Sequence, residues 1–378
     1  MAKIPRRSMK RISRGRNHAL FCTCESAGLC ILPVKATENA LDRSTIAACL
    51  ASSDPETSAV CYSAQILASY KKYVRQWGAD VSMKDFVRLY WDRTQGAKIR
   101  IPKAMDAAFA QPQTDEERQV KQLIDRFNAE QTTQLEQALF KQRKRLADAE
   151  RTLLTKTTKA ASESKRIATD KIEWALGKLS DLRRAELNDE DSRIFPGWYA
   201  PVMIQENGRR VIKPMRYQCR VAGAPAFNDA KFPGTYNARR DNLEGFWRKQ
   251  FGVTHGLIVA NAFFENVSKH KAEGRDLVPG EQEENVVLEF RPKPTQDMLV
   301  ACLWSQWTGG GEPDLLSFAA ITDEPPAEIA AAGHDRCIIP IKPEHIDAWL
   351  NPDPGNLKAL YAILDDRERP YYEHRLAA

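Results

Sequence analysis

Between Pro112 and Gly177 the chain contains neither proline nor glycine, the two residues that most readily interrupt a helix. The stretch is rich in Glu, Gln, Lys, Arg, Ala and Leu, which lose little side-chain freedom when helical. Val120, Leu123, Ile124, Phe127, Leu135, Leu139, Leu146, Ala149 and Leu153 recur mostly three, four or seven residues apart. That spacing predicts a long helix or helical hairpin with a coiled-coil-like pattern, here assigned to 113–192. From Asp115 to Asp191 there are 16 basic and 16 acidic residues, so the segment as a whole is neutral. It reads as a solvated helical insertion or packing arm rather than as a carrier of chemistry.

The remaining sequence must therefore supply the core. With 378 residues the chain has room for two or three units. Hydrophobic residues make up 43% against 28% charged, enough to bury a core and to exclude wholesale disorder. No run of 18 apolar residues occurs, which excludes a membrane-spanning helix. The cysteines follow no regular framework and read as reduced thiols of a cytoplasmic protein. A net charge of +6 is compatible with an anionic partner without proving one.

Residues 1–59 differ in texture, with seven Lys or Arg and no acid before Glu25 and no periodic apolar face. Three readings stay open: a basic disordered extension that touches nucleic acid, a metal knuckle on Cys22, Cys24 and Cys30, or a stretch upstream of a misplaced start. The C-x-C-x5-C spacing lacks a convincing fourth ligand, so no metal is expected.

Further on, Ile66, Tyr70, Tyr73, Val74 and Trp77 follow a helical period, and Ser82–Tyr90 reads as a second helix with Ser82 and Asp85 as a capping-box variant. After Phe195, prolines and glycines punctuate strand-like runs at Tyr199–Gln205, Arg210–Ile212, Gly256–Phe264, Val286–Phe290, Met298–Trp304, Leu315–Thr322 and Cys337–Pro340. A helix at Ile346–Leu350 ends at Asn351-Pro352. The expected class is α+β: a twisted or barrel-like, mostly antiparallel sheet with flanking helices, plus the helical insertion. Residues 60–112 and 193–360 would form one catalytic domain, with 361–378 as a tail. None of the Gly-rich nucleotide loops, the H-E-x-x-H zinc motif or the G-x-S-x-G elbow occurs, so the usual enzyme classes lose their best support.

Five strings stand out in order: Cys61-Tyr-Ser-Ala-Gln65, Tyr236-Asn-Ala-Arg-Arg-Asp241, Asn261-Ala-Phe-Phe-Glu-Asn266, Phe318-Ala-Ala-Ile-Thr-Asp323 and Gly333-His-Asp-Arg336. Each is weak alone. As an ordered set they resemble the SOS response-associated peptidase (SRAP) family, whose members process abasic sites in single-stranded DNA. The resemblance runs from Cys61 to about Asn351, interrupted by the helical segment. It implies that Cys61 is the nucleophile. An amine condenses with the aldehyde of an opened abasic sugar to a Schiff base, and a thiol two carbons away closes a thiazolidine; only an N-terminal Cys offers both groups in that geometry.

The same resemblance gives roles to the other residues. Glu265, beside Phe263 and Phe264, would move protons, His334 would protonate the sugar oxygen, and Asn237 would hold the Cys amine or the sugar. Arg239 and Arg336 would hold phosphates, and Pro201 and Thr322 would line the DNA path. Arg216 and Arg240 are further phosphate contacts on charge alone. No cofactor is implied, and the partner is single-stranded DNA containing abasic sites.

Two departures matter. Where well-known members have Gly-Arg after the Cys, this chain has Tyr62 and Ser63, so an early phosphate contact must come from elsewhere. Cys61 is also internal, its nitrogen held in a peptide bond with Val60. A GUG codon, which encodes Val internally, can initiate with Met in bacteria, so translation starting at position 60 would leave Met before Cys61, ready to be trimmed. Self-cleavage after Val60 is the rival route. Without residues 1–59, which hold nine basic and five acidic residues, the net charge falls from +6 to +2. Two other classes stay open: a thiol peptidase or hydrolase using Cys61 and His334 without DNA, and a non-catalytic single-stranded DNA-binding or scaffold protein.

Overall fold

The structure is a computed structural model that describes residues 63–377 except 68 and 310. Its strands are β1 (Ser63–Ile66), β2 (Asp80–Val81), β3 (Arg193–Ile194), β4 (Tyr199–Glu206), β5 (Arg209–Tyr217), β6 (Asn237–Arg239), β7 (His255–Ser268), β8 (Asn285–Lys293), β9 (Met298–Gly309), β10 (Glu312–Asp323), β11 (Cys337–Ile338), β12 (Pro340–Ile341) and β13 (Tyr371–Leu376). All of them join one sheet. Within it, β9, β10, β5, β4 and β7 pair in turn, and β7 pairs back onto β9, so five strands close a barrel. Closure leaves these strands without a free edge. The contact between β5 and β10 is parallel and the other four contacts of the ring are antiparallel. The fold is α+β, as the sequence predicts.

Local chemistry explains the ring. Strands β4 and β5 are joined by Asn207-Gly208, with φ of 51° and 78°. Two successive positive φ angles are what a tight two-residue hairpin requires, and Asn-Gly tolerates them best. At the closure, Gly256 of β7 lies opposite Ile204 of β4 on one edge and Cys302 of β9 on the other. A Cβ there would sit 3.0 Å from Val202 Cγ1 and 3.1 Å from Cys302 Sγ. The missing side chain lets three strands approach at the seam.

Strand β7 outlasts the barrel. Its second half takes β1 on one edge, with Ser63 opposite Phe264, and β8 on the other, with Glu265 opposite Leu288. Strands β3 and β13 extend this outer sheet. The β1 assignment corrects the expectation that Ile66 opens a helix. Its spacing fits helix α1 (Tyr70–Trp77), but Ser63–Ile66 is wholly buried and hydrogen-bonds between β7 and β3. Long-range pairing overrides local period here. Helix α2 (Met83–Thr94) runs past the expected end at Tyr90, and its capping box does not form, since Ser82 Oγ donates to the Asp85 carboxylate at 2.6 Å instead of capping a backbone N–H. The stretch expected as a tail holds the end of helix Leu357–Asp365 and β13, which pairs with β8 over six residues.

After α3 (Lys103–Ala107), the proline-free segment forms α4 (Asp115–Thr155) and α5 (Lys159–Arg183), two helices packed on each other. Thr114 and Thr158 cap them, each accepting a backbone N–H three residues on at 3.2 Å. Leu135, Leu139, Ala175 and Leu179 form the hairpin's own small core. Its base is fixed to the body: Val120, Leu123 and Ile124 belong to the main core. The buried Arg93 guanidinium lies 4.3 Å from the Phe127 ring centre and pairs with Asp106 at 3.1 Å.

Buried His255 shows how the core constrains ionisation. One ring nitrogen meets the Trp349 carbonyl at 3.1 Å and the other accepts the Gly252 N–H at 2.8 Å, which fixes a neutral tautomer with the proton on Nδ1. Burial pushes its pKa down to about 3. The unfolded chain therefore binds this proton first as pH falls. The stabilisation is complete above pH 6.5 and is lost progressively toward pH 3, by up to about 1.4 kcal/mol per pH unit. Urea unfolding of wild type and His255→Gln between pH 7 and 4 should give curves that converge as pH drops; a constant difference would contradict this assignment.

Candidate functional site

Glu265 lies in the half of β7 that has left the barrel. It follows Phe263 and Phe264, and Phe263 stacks on Phe290 of β8 with ring centres 5.3 Å apart. The carboxyl is fully buried. His334 reaches it from a different part of the chain. Helix Ala327–Ala331 ends in Gly333, whose φ of 93° turns the backbone. A Cβ at Gly333 would meet Lys271 Cβ at 2.6 Å, so only glycine passes there without displacing the short helix Lys269–Ala272.

The turn delivers His334 Nε2 to 3.2 Å from Glu265 Oε2, both side chains being wholly enclosed. His334 Nδ1 lies 2.9 Å from the Arg336 carbonyl and 3.3 Å from the Arg336 N–H. The two contacts suit opposite tautomers. The shorter one favours Nδ1–H as donor to the carbonyl, which leaves Nε2 to share a proton with Glu265. A carboxyl and an imidazole joined in this way can pass one proton between them without water.

The end of β10 gathers the remaining polar residues. Strand β6 lies parallel to it, with Asn237 opposite Ala320 and Arg239 opposite Thr322. Strand β11, directly after the His334–Arg336 turn, pairs with the same end, Thr322 lying opposite Ile338. Asn237 is buried, and its side-chain carbonyl accepts from Tyr217 Oη at 3.4 Å. Thr322 is buried too, and its hydroxyl has no hydrogen-bond partner among the described residues. Arg239 holds Asp241 at 2.5 Å. Asp241 stays below the usual carboxylate range chiefly through Arg239, with the Arg336 charge adding to it. Asn237 and Arg239 on β6, Thr322 on β10 itself, and His334 and Arg336 on the turn before β11 are thus gathered around one strand end, and Glu265 joins them through His334.

Other expected residues lie differently. Pro201 is buried in the barrel wall opposite Pro214, its carbonyl accepting from Tyr73 Oη at 3.3 Å. Arg216 pairs with Asp229 at 2.8 Å, beside Arg220 at 2.6 Å. It lines a 730 Å3 cleft with Lys84, Arg88 and Lys213, a cleft to which Asn237, Glu265, Thr322 and His334 do not contribute. Arg240 is engaged by Asp323 and Asp365 at 3.3 and 2.5 Å. Cys61 and Tyr62 lie outside the described residues, as do Cys22, Cys24 and Cys30.

Sequence reasoning misses Arg193. Its Nε donates to Ser63 Oγ at 3.0 Å, and its guanidinium lies 3.7 Å from the Phe264 ring centre. It therefore sets a positive charge between the start of β1 and the residue before Glu265. The available signal was slight, a basic residue opening the two-residue strand β3 just after the acidic run Asp189–Asp191. Three cysteines are described, Cys219, Cys302 and Cys337, and all are buried. Burial pushes the Cys219 thiol up to about 12 and holds Cys302 and Cys337 well above the ordinary range, Glu265 adding to the effect on Cys337. None of the three is poised as a thiolate nucleophile.

Comparison with known proteins gives these strands a lineage. The family model described as SOS response associated peptidase (SRAP) matches residues 150–375, a span that takes in Asn237, Glu265 and His334. No curated protein matches. Among solved structures, a protein from Bordetella bronchiseptica is 15% identical, with 52% of this chain and 90% of that chain covered and a TM-score of 0.39. A phage-related protein from the same organism is also 15% identical, covering 52% and 85%, with a TM-score of 0.37. A protein from Bacteroides thetaiotaomicron is 11% identical, covering 50% and 78%, with a TM-score of 0.38. The family match spans more than half of the sequence, and the chain belongs to the SOS response associated peptidase family, a family associated with DNA damage.

Proposed function

We propose that the protein processes abasic sites in single-stranded DNA by forming a covalent link through the α-amine and thiol of Cys61. The observation that carries this reading is the enclosed Glu265–His334 pair, 3.2 Å apart, with Glu265 on the strand that also binds β1. Ser63 is opposite Phe264, one residue before Glu265. Cys61 stands two residues before Ser63 in the sequence. The three described cysteines are buried and unsuited to attack, which is consistent with a nucleophile at Cys61.

The steps balance as follows. The amine adds to the C1′ aldehyde and water leaves, giving a Schiff base. The thiol then adds to the same carbon, its proton passing to nitrogen as the ring closes. Sugar opening needs a proton delivered to the ring oxygen, which His334 supplies. Removing the amine proton and protonating the departing hydroxyl needs a base and then an acid, a task for Glu265 with His334 as its reservoir. Asn237 holds the amine or the sugar, and Arg239 and Arg336 take the flanking phosphates. Thr322 lies at the strand end beside the DNA path, and Arg193 supplies a cation beside β1 in place of the arginine absent after Cys61. The chemistry requires residue 61 to carry a free amine, produced by a start at position 60 or by cleavage after Val60.

Two outcomes are expected. A protein beginning at Cys61, incubated with single-stranded DNA bearing one abasic site, should give a heat-stable shifted band that Cys61→Ser or acetylation of the α-amine abolishes; a band that survives both would refute the mechanism. Glu265→Gln should slow adduct formation on the order of 100-fold, as loss of a positioned acid–base does, while affinity for undamaged DNA stays unchanged. A proportional loss of both would make Glu265 structural.

A further inference from the structure

Of the fourteen Lys and Arg along α4 and α5, seven form an ion pair with an acid. Arg118, Lys121 and Arg126 pair within their own helix with Asp115, Asp125 and Glu130. Arg166 pairs with Glu163 and Asp170, and Arg183 crosses to Glu136 at 3.2 Å. Among the seven without one, Lys159, Lys171 and Lys178 stand apart along α5, whereas four are crowded together. Lys141, Arg143, Lys144 and Arg145 fall within five residues of α4, and none is in an ion pair among the described residues, Glu163, the acid near Arg145, being held by Arg166. Lys141, Arg143 and Lys144 are exposed, and Arg145 is half-buried, its Nε donating to Ser164 of α5 at 2.8 Å.

At 100° per residue, Lys141, Lys144 and Arg145 share one face of the helix. They line a shallow 490 Å3 groove between the two helices with Thr152, Thr158 and Ser164, and the acid in that groove, Asp148, is engaged by Arg151 at 3.3 Å. Neutrality of the segment as a whole thus conceals a local surplus of four charges. The site is far from the core: from Ile124, which packs in the main core, to Lys141 the helix rises about 25 Å.

We propose that this basic face of the hairpin is a second nucleic-acid contact, holding the phosphate backbone of single-stranded DNA away from the reacting sugar. Unpaired, closely spaced cations flanked by hydroxyls match a chain of phosphates, and such contacts position a strand without reading its sequence. A groove with its own acid already neutralised suits a polyanion better than a mixed protein surface. The inference extends the DNA reading given above but is tested on undamaged DNA, so failure of the covalent chemistry would leave it standing.

The test compares the full chain with a variant carrying Lys141→Gln, Arg143→Gln, Lys144→Gln and Arg145→Gln, using fluorescence anisotropy on 40-nucleotide and 8-nucleotide single strands over a salt series. Gln keeps helix propensity, and circular dichroism checks that the hairpin persists. A second variant, Arg118→Gln, Lys121→Gln and Arg126→Gln, removes paired charges from the same helix. The first variant should bind the long strand at least 10-fold more weakly at low salt, with a salt slope reduced by about 0.7 per lost contact, and should bind the short strand nearly as before. Unchanged affinity for the long strand, as a face for an acidic protein would give, overturns the proposal. An equal loss in the second variant would also overturn it, by showing a general charge effect.

Discussion

Strand β7 is hydrogen-bonded on both edges along most of its length, and the rest of the molecule depends on that. Its first half closes the barrel between β4 and β9, and its second half carries β1 and β8. A strand shared in this way by the barrel and its extension cannot slip by one residue without turning every side chain to the opposite face. The register that seats Gly256 in the seam therefore also decides that Glu265 points inward to His334. Fold and site are locked by the same set of backbone bonds.

Burial then gives the site its chemical character. An enclosed carboxyl and imidazole interact far more strongly than the same pair in water, and each would be costly alone. The same dryness silences the described thiols, with Cys337 held protonated close to the Glu265 charge. The proposed mechanism uses this contrast: proton transfer occurs in the enclosed pair, and the nucleophile arrives from the segment ahead of β1. Arg193, stacked on Phe264 and bonded to Ser63, sets a positive charge where β1 meets β7.

Much of this was legible from sequence because it is written locally. The helical hairpin follows from 64 residues free of proline and glycine, and most barrel strands from apolar runs between turn residues. The family followed from five motifs in order rather than from any one of them. What stayed hidden depends on distant partners. Ile66 has helical spacing, yet the edges of β7 and β3 claim it for a strand. Strand β13 has an almost wholly exposed pattern, with Tyr372 its buried residue, so only its pairing with β8 reveals it. Nothing near Arg193 announces that β3 meets β1. Arg216 and Arg240 looked free by charge alone, and the fold gives each an acidic partner. The four unmatched cations of α4 were averaged away when the whole segment was counted as neutral.

The central claim is that the α-amine of residue 61 is free and reacts beside the Glu265–His334 pair. Intact mass spectrometry of natively expressed protein, before and after reaction with single-stranded DNA carrying one abasic site, tests it most directly. The account predicts a polypeptide that begins at Cys61 and an adduct equal to protein plus DNA minus one water. An adduct of the same stoichiometry on a polypeptide that still carries residues ahead of Cys61 would contradict it.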